Sequence, residues 1–343
     1  MASADVMKTS GGAHVISLLH DDALVVRVSD PLLVMTNAWL PSHVERMISP
    51  AAPVRAVIDV VDVHELPASA DESSESPLVL FAGVRARATD DERISLRGSS
   101  AVRGEIVLGE TRARIAVPRI EVTSEPTTDV RTHPHSAAGE LYSMLTLSAA
   151  FLIGRLGSAL VHAGAVVDPE GRAWLLAGDT HAGKTTTCVS LVDAGWSFLA
   201  DDQVVLRHDD AGEIIAEGWP RHAHLDEGWS SAVVTGSRGA VDMRARWGER
   251  WMRRAPLGGV LFPSVAADQP THVAELHAAT SFSGLLRQSP WLIADRGAAA
   301  SVMALLQCAA ERPAFALSLG RDSYARGDVL AARLAPAVSG RRG

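Results

Sequence analysis

The chain has 343 residues, 47% hydrophobic and 21% charged, with 32 Lys+Arg against 40 Asp+Glu for a net charge of −8. Such a length accommodates one large or two ordinary domains, and the composition excludes a disordered chain. The acidity is uneven: residues 1–130 hold 12 basic and 19 acidic side chains, a net −7, leaving −1 for the remainder, so no basic stripe is present to bind nucleic acid.

Residues 13–120 alternate short β-branched runs with turn-forming clusters: HVISLL, ALVVRV, PVRAVIDVV, PLVLFAGV, RISLRG, EIVLGE and RARIAV. This spacing predicts a mostly antiparallel β-rich module over residues 1–130. Within it, PASADESSESP (67–77) is a polar loop, and TSEPTTDVRTHPHS (123–136) reads as the linker to a second domain over 137–335. After the linker the period changes. Leu141, Met144, Leu145, Phe151 and Leu152 fall at helical spacing behind a candidate cap, Ser136. Two strand-length apolar runs, 159–167 and 172–178, flank a DPEG turn. A helix is expected over 184–194, ending at Gly195, and WSFLA (196–200) is the next strand. Further strands are expected at 257–263, 272–276 and 315–320, with helices near 278–288, 298–310 and 323–334. Strands alternating with helices predict an α/β core.

No membrane span is expected, because the apolar stretch Leu141–Val167 is broken by Arg155, Gly157 and His162. The first twelve residues lack the apolar core of a signal peptide, and Cys188 and Cys308 form no C-x-x-C, so a cytoplasmic, reducing location is expected.

Only two of the basic residues are lysines, Lys8 and Lys184, a skew that codon usage in a GC-rich genome explains for most positions. Lys184 lies in Gly178-Asp179-Thr180-His181-Ala182-Gly183-Lys184-Thr185, which fits G-x-x-x-x-G-K-[ST], the P-loop, between a strand and a helix. A match by chance in this composition has a probability of roughly two in a thousand. In such a loop the backbone N–H groups and the helix N-terminus face one anion. Gly178 to Thr186 are therefore the candidate nucleotide-binding residues. Lys184 would reach the β- and γ-phosphates, and the Thr185 hydroxyl would ligate Mg²⁺. Asp201 and Asp202 follow the apolar WSFLA strand, seventeen and eighteen residues after Lys184. One of them could hold the metal, for which Asp201 is the candidate with Thr185, and the other could take the proton from an attacking hydroxyl.

Several other clusters carry less. The H-x-H of His222 and His224, with Asp226, lacks the further ligands of a metal site. Arg238, Arg244, Arg246, Arg250, Arg253 and Arg254 crowd one segment, which in so arginine-rich a chain reads as a solvated face. No G-x-G-x-x-G, G-x-S-x-G, H-E-x-x-H or H-R-D motif occurs, removing the Rossmann, serine-hydrolase, zincin and eukaryotic-type kinase readings.

Residues 160–206, LVHAGAVVDPEGRAWLLAGDTHAGKTTTCVSLVDAGWSFLADDQVVL, resemble the catalytic domain of HPr kinase/phosphorylase and its kinase relatives, among them lasso-peptide-cluster kinases. The group shares a fold with ATP-dependent phosphoenolpyruvate carboxykinase. The resemblance implies a P-loop kinase core of that α/β type, a strand histidine (His162) near the transferred phosphate, and a doubled Asp (Asp201, Asp202) handling metal and proton. A later family signature places a Glu shortly before an Arg-Gly pair. Here Arg238-Gly239 follows Gly236 and Ser237, so Arg238 is carried over as a catalytic candidate, whereas phosphorylase activity and HPr as substrate are not. The expected activity is transfer of the γ-phosphate of ATP, with Mg²⁺, to a hydroxyl, foremost a Ser of a peptide or protein. A small-molecule or carboxykinase-like enzyme and a non-catalytic nucleotide-gated binding module are the alternatives. Neither nucleic acid nor membrane is an expected partner, and the resemblance alone suggests a homo-oligomer.

Overall fold

The β-branched runs of the first third build one sheet. The computed structural model describes residues 13–19, 23–29, 32–33, 54–66, 79–118, 136–226, 238–324 and 326–339. The polar loop 67–77 and the linker 123–136 lie outside the described residues, apart from Ser136. The chain divides into two compact units, residues 1–156 with 291–299, and residues 157–290 with 300–343.

The first unit holds β1 (Ala13–Ser17), β2 (Leu24–Ser29), β3 (Ala56–Asp62), β4 (Val79–Phe81), β5 (Val84–Asp90), β6 (Arg93–Arg97), β7 (Arg103–Val107) and β8 (Arg112–Val117). They form an eight-stranded sheet in the order β1-β2-β3-β8-β7-β6-β5-β4. The pairs β2–β3 and β3–β8 are parallel, and the other neighbours are antiparallel. Where the sequence suggests one strand over PLVLFAGV, the structure has a hairpin. Ala82 and Gly83, at φ +45° and +84°, form its two-residue turn, the left-handed pair that matches strand twist. Across the parallel strands, Arg27 and Arg112 both clasp the Asp59 carboxylate at 2.7 Å.

Helix α1 (Ala137–Arg155) belongs to this unit, although it follows the expected linker, where the sequence predicts the second domain to begin. It packs on β3, β5, β7 and β8. Its residues from Gly139 to Gly154 are all buried, as an all-round apolar helix requires. Ser136 caps its first turn by accepting from the Gly139 N–H at 3.1 Å. The helix is also long and apolar enough to cross a bilayer, with a mean hydropathy of 1.3, contrary to the expectation from the broken stretch, but 94% of that window is buried in the protein. Its one internal carboxylate, Glu140, is fully buried and accepts from Ser99 Oγ at 2.6 Å, from the Ser100 N–H at 2.9 Å and from Ser100 Oγ. At the other end Arg155 Nε donates to Asp295 Oδ2 at 2.8 Å, and Trp291 meets Phe81 edge to face, which binds 291–299 to this unit.

The second unit contains β9 (Ala159–Val161), β10 (Ala163–Val167), β11 (Ala173–Ala177), α2 (Lys184–Asp193), β12 (Ser197–Ala200), β13 (Val204–His208) and β14 (Ile214–Gly218). There follow β15 (Ala223–Asp226), β16 (Arg238–Val241), α3 (Met243–Trp247), β17 (Arg254–Val265), β18 (His272–Glu275), α4 (Ala278–Arg287), α5 (Arg296–Ala310, counted with the first unit up to Ala299), β19 (Ala314–Leu319) and α6 (Gly327–Ser339). Nine strands make a mixed sheet, in which β11, β17 and β19 run parallel and the flanking strands antiparallel. The twelve-residue β17 pairs with β14 through its first residues and with β11 and β19 further on. Trp174, Leu176, Val189, Val192, Leu317, Leu330 and Leu334 fill the layer between the parallel strands and helices α2 and α6. The protein is thus a mixed α/β molecule with two large mixed sheets.

Candidate functional site

Strand β11 ends at Ala177, and the chain turns through Gly178–Gly183 into α2. Two residues of the turn are left-handed, His181 at φ +68° and Gly183 at φ +96°. A Cβ on Gly183 would stand 2.7 Å from Leu319 Cδ1, so only glycine fits both the angle and the space. Gly183 is also the N-cap of α2 and supplies no side-chain cap, which leaves the first-turn N–H groups without a side-chain acceptor there. The loop is braced by the Ala182 N–H on Asp179 O at 3.1 Å and by Gln288 Nε2 on Asp179 Oδ1 at 3.3 Å.

Lys184, the first residue of α2, is buried with its ammonium turned back under the loop. Nζ donates to Gly178 O at 2.7 Å and to Asp179 O at 3.0 Å, and lies 3.3 Å from His162 Nε2. Since the ammonium can only donate, Nε2 is the accepting nitrogen of that ring and Nδ1 carries the proton. Nδ1 faces Asp202 Oδ1 at 3.5 Å. His162 stands at the break between β9 and β10 rather than within a strand. The break arises because β9 pairs with β13, whereas β10 pairs with β11 and β12. Its N–H is held by Gln288 O at 2.8 Å.

Strand β12 delivers the two carboxylates. Asp201 is buried and accepts from Thr185 Oγ1 at 2.6 Å. Asp202 is less enclosed, and Arg221 NH1 donates to its Oδ2 at 2.6 Å. The pair is therefore split by its surroundings. Asp201 belongs with the hydroxyl at the start of α2, and Asp202 sits between a histidine and an arginine. Behind them Cys188 is wholly enclosed. Burial pushes its thiol well up, Asp201 adds to the shift and Lys184 opposes it, so the sulfur is a neutral packing group rather than a nucleophile.

Lys184, Thr185, His162, Asp201 and Asp202 thus converge at one edge of the sheet. Thr180 and His181 are exposed on the loop, and Thr186 is half-buried in the first turn of α2. Arg238 opens β16, paired opposite Asp226 in a separate two-stranded ribbon, and its side chain lies outside the described residues, as do those of His224 and Asp226. Among the described residues no group of three His, Cys, Asp or Glu side chains is placed to hold a metal. The crowded arginines are partly absorbed by packing: Arg244 and Arg246 lie over Trp251 and Trp247, and Arg250 donates to Val192 O. Sequence reasoning missed Arg221 and Gln288. Thirty arginines conceal any single one, and Gln288 reaches the loop from the C-cap of α4, more than a hundred residues on.

The Thr185–Asp201 hydroxyl–carboxylate pair supplies oxygen ligands of the kind Mg²⁺ takes, and the loop with Lys184 supplies donors of the kind a phosphate takes. No protein-family model and no curated protein matches the chain. Among solved structures, the HPr(Ser) kinase/phosphatase from Coxiella burnetii is similar over 54% of this chain and 99% of its own, at 11% identity and a TM-score of 0.32.

Proposed function

We propose that this protein is an ATP- and Mg²⁺-dependent phosphotransferase that moves a γ-phosphate onto a hydroxyl, foremost a Ser of a peptide or protein. The observation that carries the reading is the segregation of the two carboxylates, Asp201 on Thr185 and Asp202 on His162 and Arg221, beside a buried lysine under a glycine loop. The loop N–H groups and Lys184 would bind the β- and γ-phosphates, Lys184 exchanging its two carbonyl partners for phosphate oxygens. Thr185 and Asp201 would hold Mg²⁺, which when bound neutralises charge on the phosphate oxygens.

Arg221 fixes Oδ2 of Asp202 and leaves Oδ1 on the His162 side to receive a proton. In the transfer, the acceptor oxygen forms a bond to the γ-phosphorus and the bond to the β–γ bridging oxygen breaks. The acceptor proton passes to Asp202 and ADP leaves. His162, between Lys184 and Asp202, keeps the two charged groups in one register. A Ser acceptor is carried over from the resemblance of residues 160–206 to HPr kinase/phosphorylase and its kinase relatives, with a small-molecule hydroxyl as the alternative.

Titration calorimetry with ATP and Mg²⁺ tests the first step, and γ-phosphate transfer to pooled peptides and metabolites tests the second. Asp202→Asn is expected to keep nucleotide affinity and lose turnover by about a hundredfold or more. Absence of nucleotide binding by the native protein would sink the proposal. Full function in Asp202→Asn would favour a nucleotide-gated binding module instead.

A further inference from the structure

We infer that the open face of the first unit's sheet, where strand register gathers arginines that the linear sequence scatters, binds an extended acidic segment of a peptide or protein. This surface lies within the first unit and does not depend on the nucleotide reading.

Alternation along each strand sends successive side chains to opposite faces. Ile58, Ile94, Leu96, Ile106 and Ile115 fall on the buried face. The positions between them carry the arginines. One row of Cα partners runs Arg27, Asp59, Arg114, Glu105, Ser95 and Arg87 across six adjacent strands, from β2 to β5. Two residues along the strands on one side of this row lie Arg112 and Arg93, and on the other side Arg103, Arg97 and Arg85. Eight of the twelve basic residues in the acidic stretch 1–130 thus share one face.

Two observations mark the face as built for an anion. Arg85 stands directly opposite Arg97, and Arg97 directly opposite Arg103, a ladder of three like charges on β5, β6 and β7. Like charges directly opposite one another destabilise a sheet, so this ladder favours an anion supplied from outside. Arg103 does bond the carbonyl oxygens of Leu66 and Val63, but these are neutral acceptors that leave its charge in place. Secondly, the carboxylates near the face are engaged elsewhere on it. Asp59 holds Arg27 and Arg112, while Asp90 and Glu105 both meet Arg93. Among the described residues Arg85 and Arg114 have no carboxylate partner, and Arg85 is exposed.

The pattern of charge selects a peptide. In the middle row Asp59 and Glu105 flank Arg114. A nucleic-acid backbone, negative at every phosphate, would meet both carboxylates, and no aromatic residue occupies these rows for bases to stack on. A peptide can set Asp or Glu against the arginines, which pair with carboxylates through two parallel bonds, and neutral residues against Asp59 and Glu105. At the border Leu80 lies opposite Arg85 and is 69% exposed, an apolar contact for one end of the segment. The row spans about 24 Å at the usual strand spacing, the length of about seven or eight extended residues.

Fluorescence anisotropy with the full chain tests this, using a labelled peptide of about ten residues that alternates Glu with Ala, and its Gln counterpart. The Glu peptide is expected to bind about tenfold or more tighter than the Gln peptide, and to weaken as salt is raised. Arg85→Gln/Arg114→Gln is expected to lower Glu-peptide affinity by about tenfold with an unchanged melting temperature. Arg287→Gln/Arg333→Gln removes the same charge from the second unit and is expected to leave binding as it was. Equal affinity for the two peptides, or equal losses in the two double variants, would overturn the inference. Tighter binding of a mixed-sequence oligonucleotide than of the Glu peptide would overturn it in favour of nucleic acid.

Discussion

Arginine cannot stand in for Lys184, although it has replaced lysine almost everywhere else in the chain. The ammonium is buried between two carbonyl oxygens at 2.7 and 3.0 Å, a space for a compact point charge. A guanidinium is larger and planar, and its fork would need the loop to open. Lys184→Arg is expected to fold, with thermal unfolding close to the native protein's, and to lose phosphotransfer by about a hundredfold or more. Wild-type turnover in that variant would contradict the role given to the lysine. The same residue shows what was legible in the sequence. Lys184, the glycines and the doubled Asp stand out by type and spacing, because phosphate and metal chemistry restricts those types. Arg221 did not stand out, since its partner Asp202 is nineteen residues away and its type is the commonest cation in the chain. The division of labour between Asp201 and Asp202 was equally unreadable. It depends on which neighbours reach each carboxylate.

Three elements meet so closely at Gly164 that their spacing sets where the carboxylates stand. A Cβ added there would come within 2.9 Å of both Asp201 O and Cys188 Sγ, so β10, the end of β12 and helix α2 are packed at glycine distance. Gly164→Ala must push Asp201 away from Thr185 or α2 away from the sheet. A loss of about 1–3 kcal/mol in urea unfolding is expected, together with weakened Mg²⁺-dependent nucleotide binding. An unchanged unfolding midpoint would show that the contact relaxes freely. Element type was largely readable here, because β10 and β11 are short apolar runs, β17 has one at its centre, and α2 and α5 keep helical spacing. Partner choice was not. The sequence does not say that β9 joins β13 while β10 joins β11, and that difference is what interrupts the chain at His162. Nor did it mark the Ala82–Gly83 turn, where a single apolar run folds back on itself.

For the whole molecule, the boundary read from Pro-containing polar segments differs from the packed one. Helix α1 follows that stretch in sequence yet buries its surface against β3, β5, β7 and β8, because an apolar helix sits wherever a matching sheet face is free to cover it. Its last turn carries Arg155, whose bond to the buried Asp295 secures 291–299. Asp295 Oδ1 also accepts from the Gly297 N–H at 2.9 Å at the start of α5. Arg155→Met leaves that carboxylate enclosed without its cation and is expected to cost about 2 kcal/mol. Denaturant unfolding would register it, and the double variant Arg155→Met/Asp295→Asn should recover part of the loss. No recovery would mean that Arg155 acts through packing alone.

That clasp of residues 291–299 also bears on how the protein is made. A ribosome releases the chain from its N-terminus, and domains fold as their last contributing residues emerge. The first unit takes its final piece from Trp291–Ala299, so it stays incomplete until residue 299 has been synthesised. By then the glycine loop and both carboxylates have already left the ribosome. The order of synthesis thus lets the second unit's β9–β17 segment begin to pair before the first unit has its last segment, although all eight strands of the first sheet come earlier in the gene.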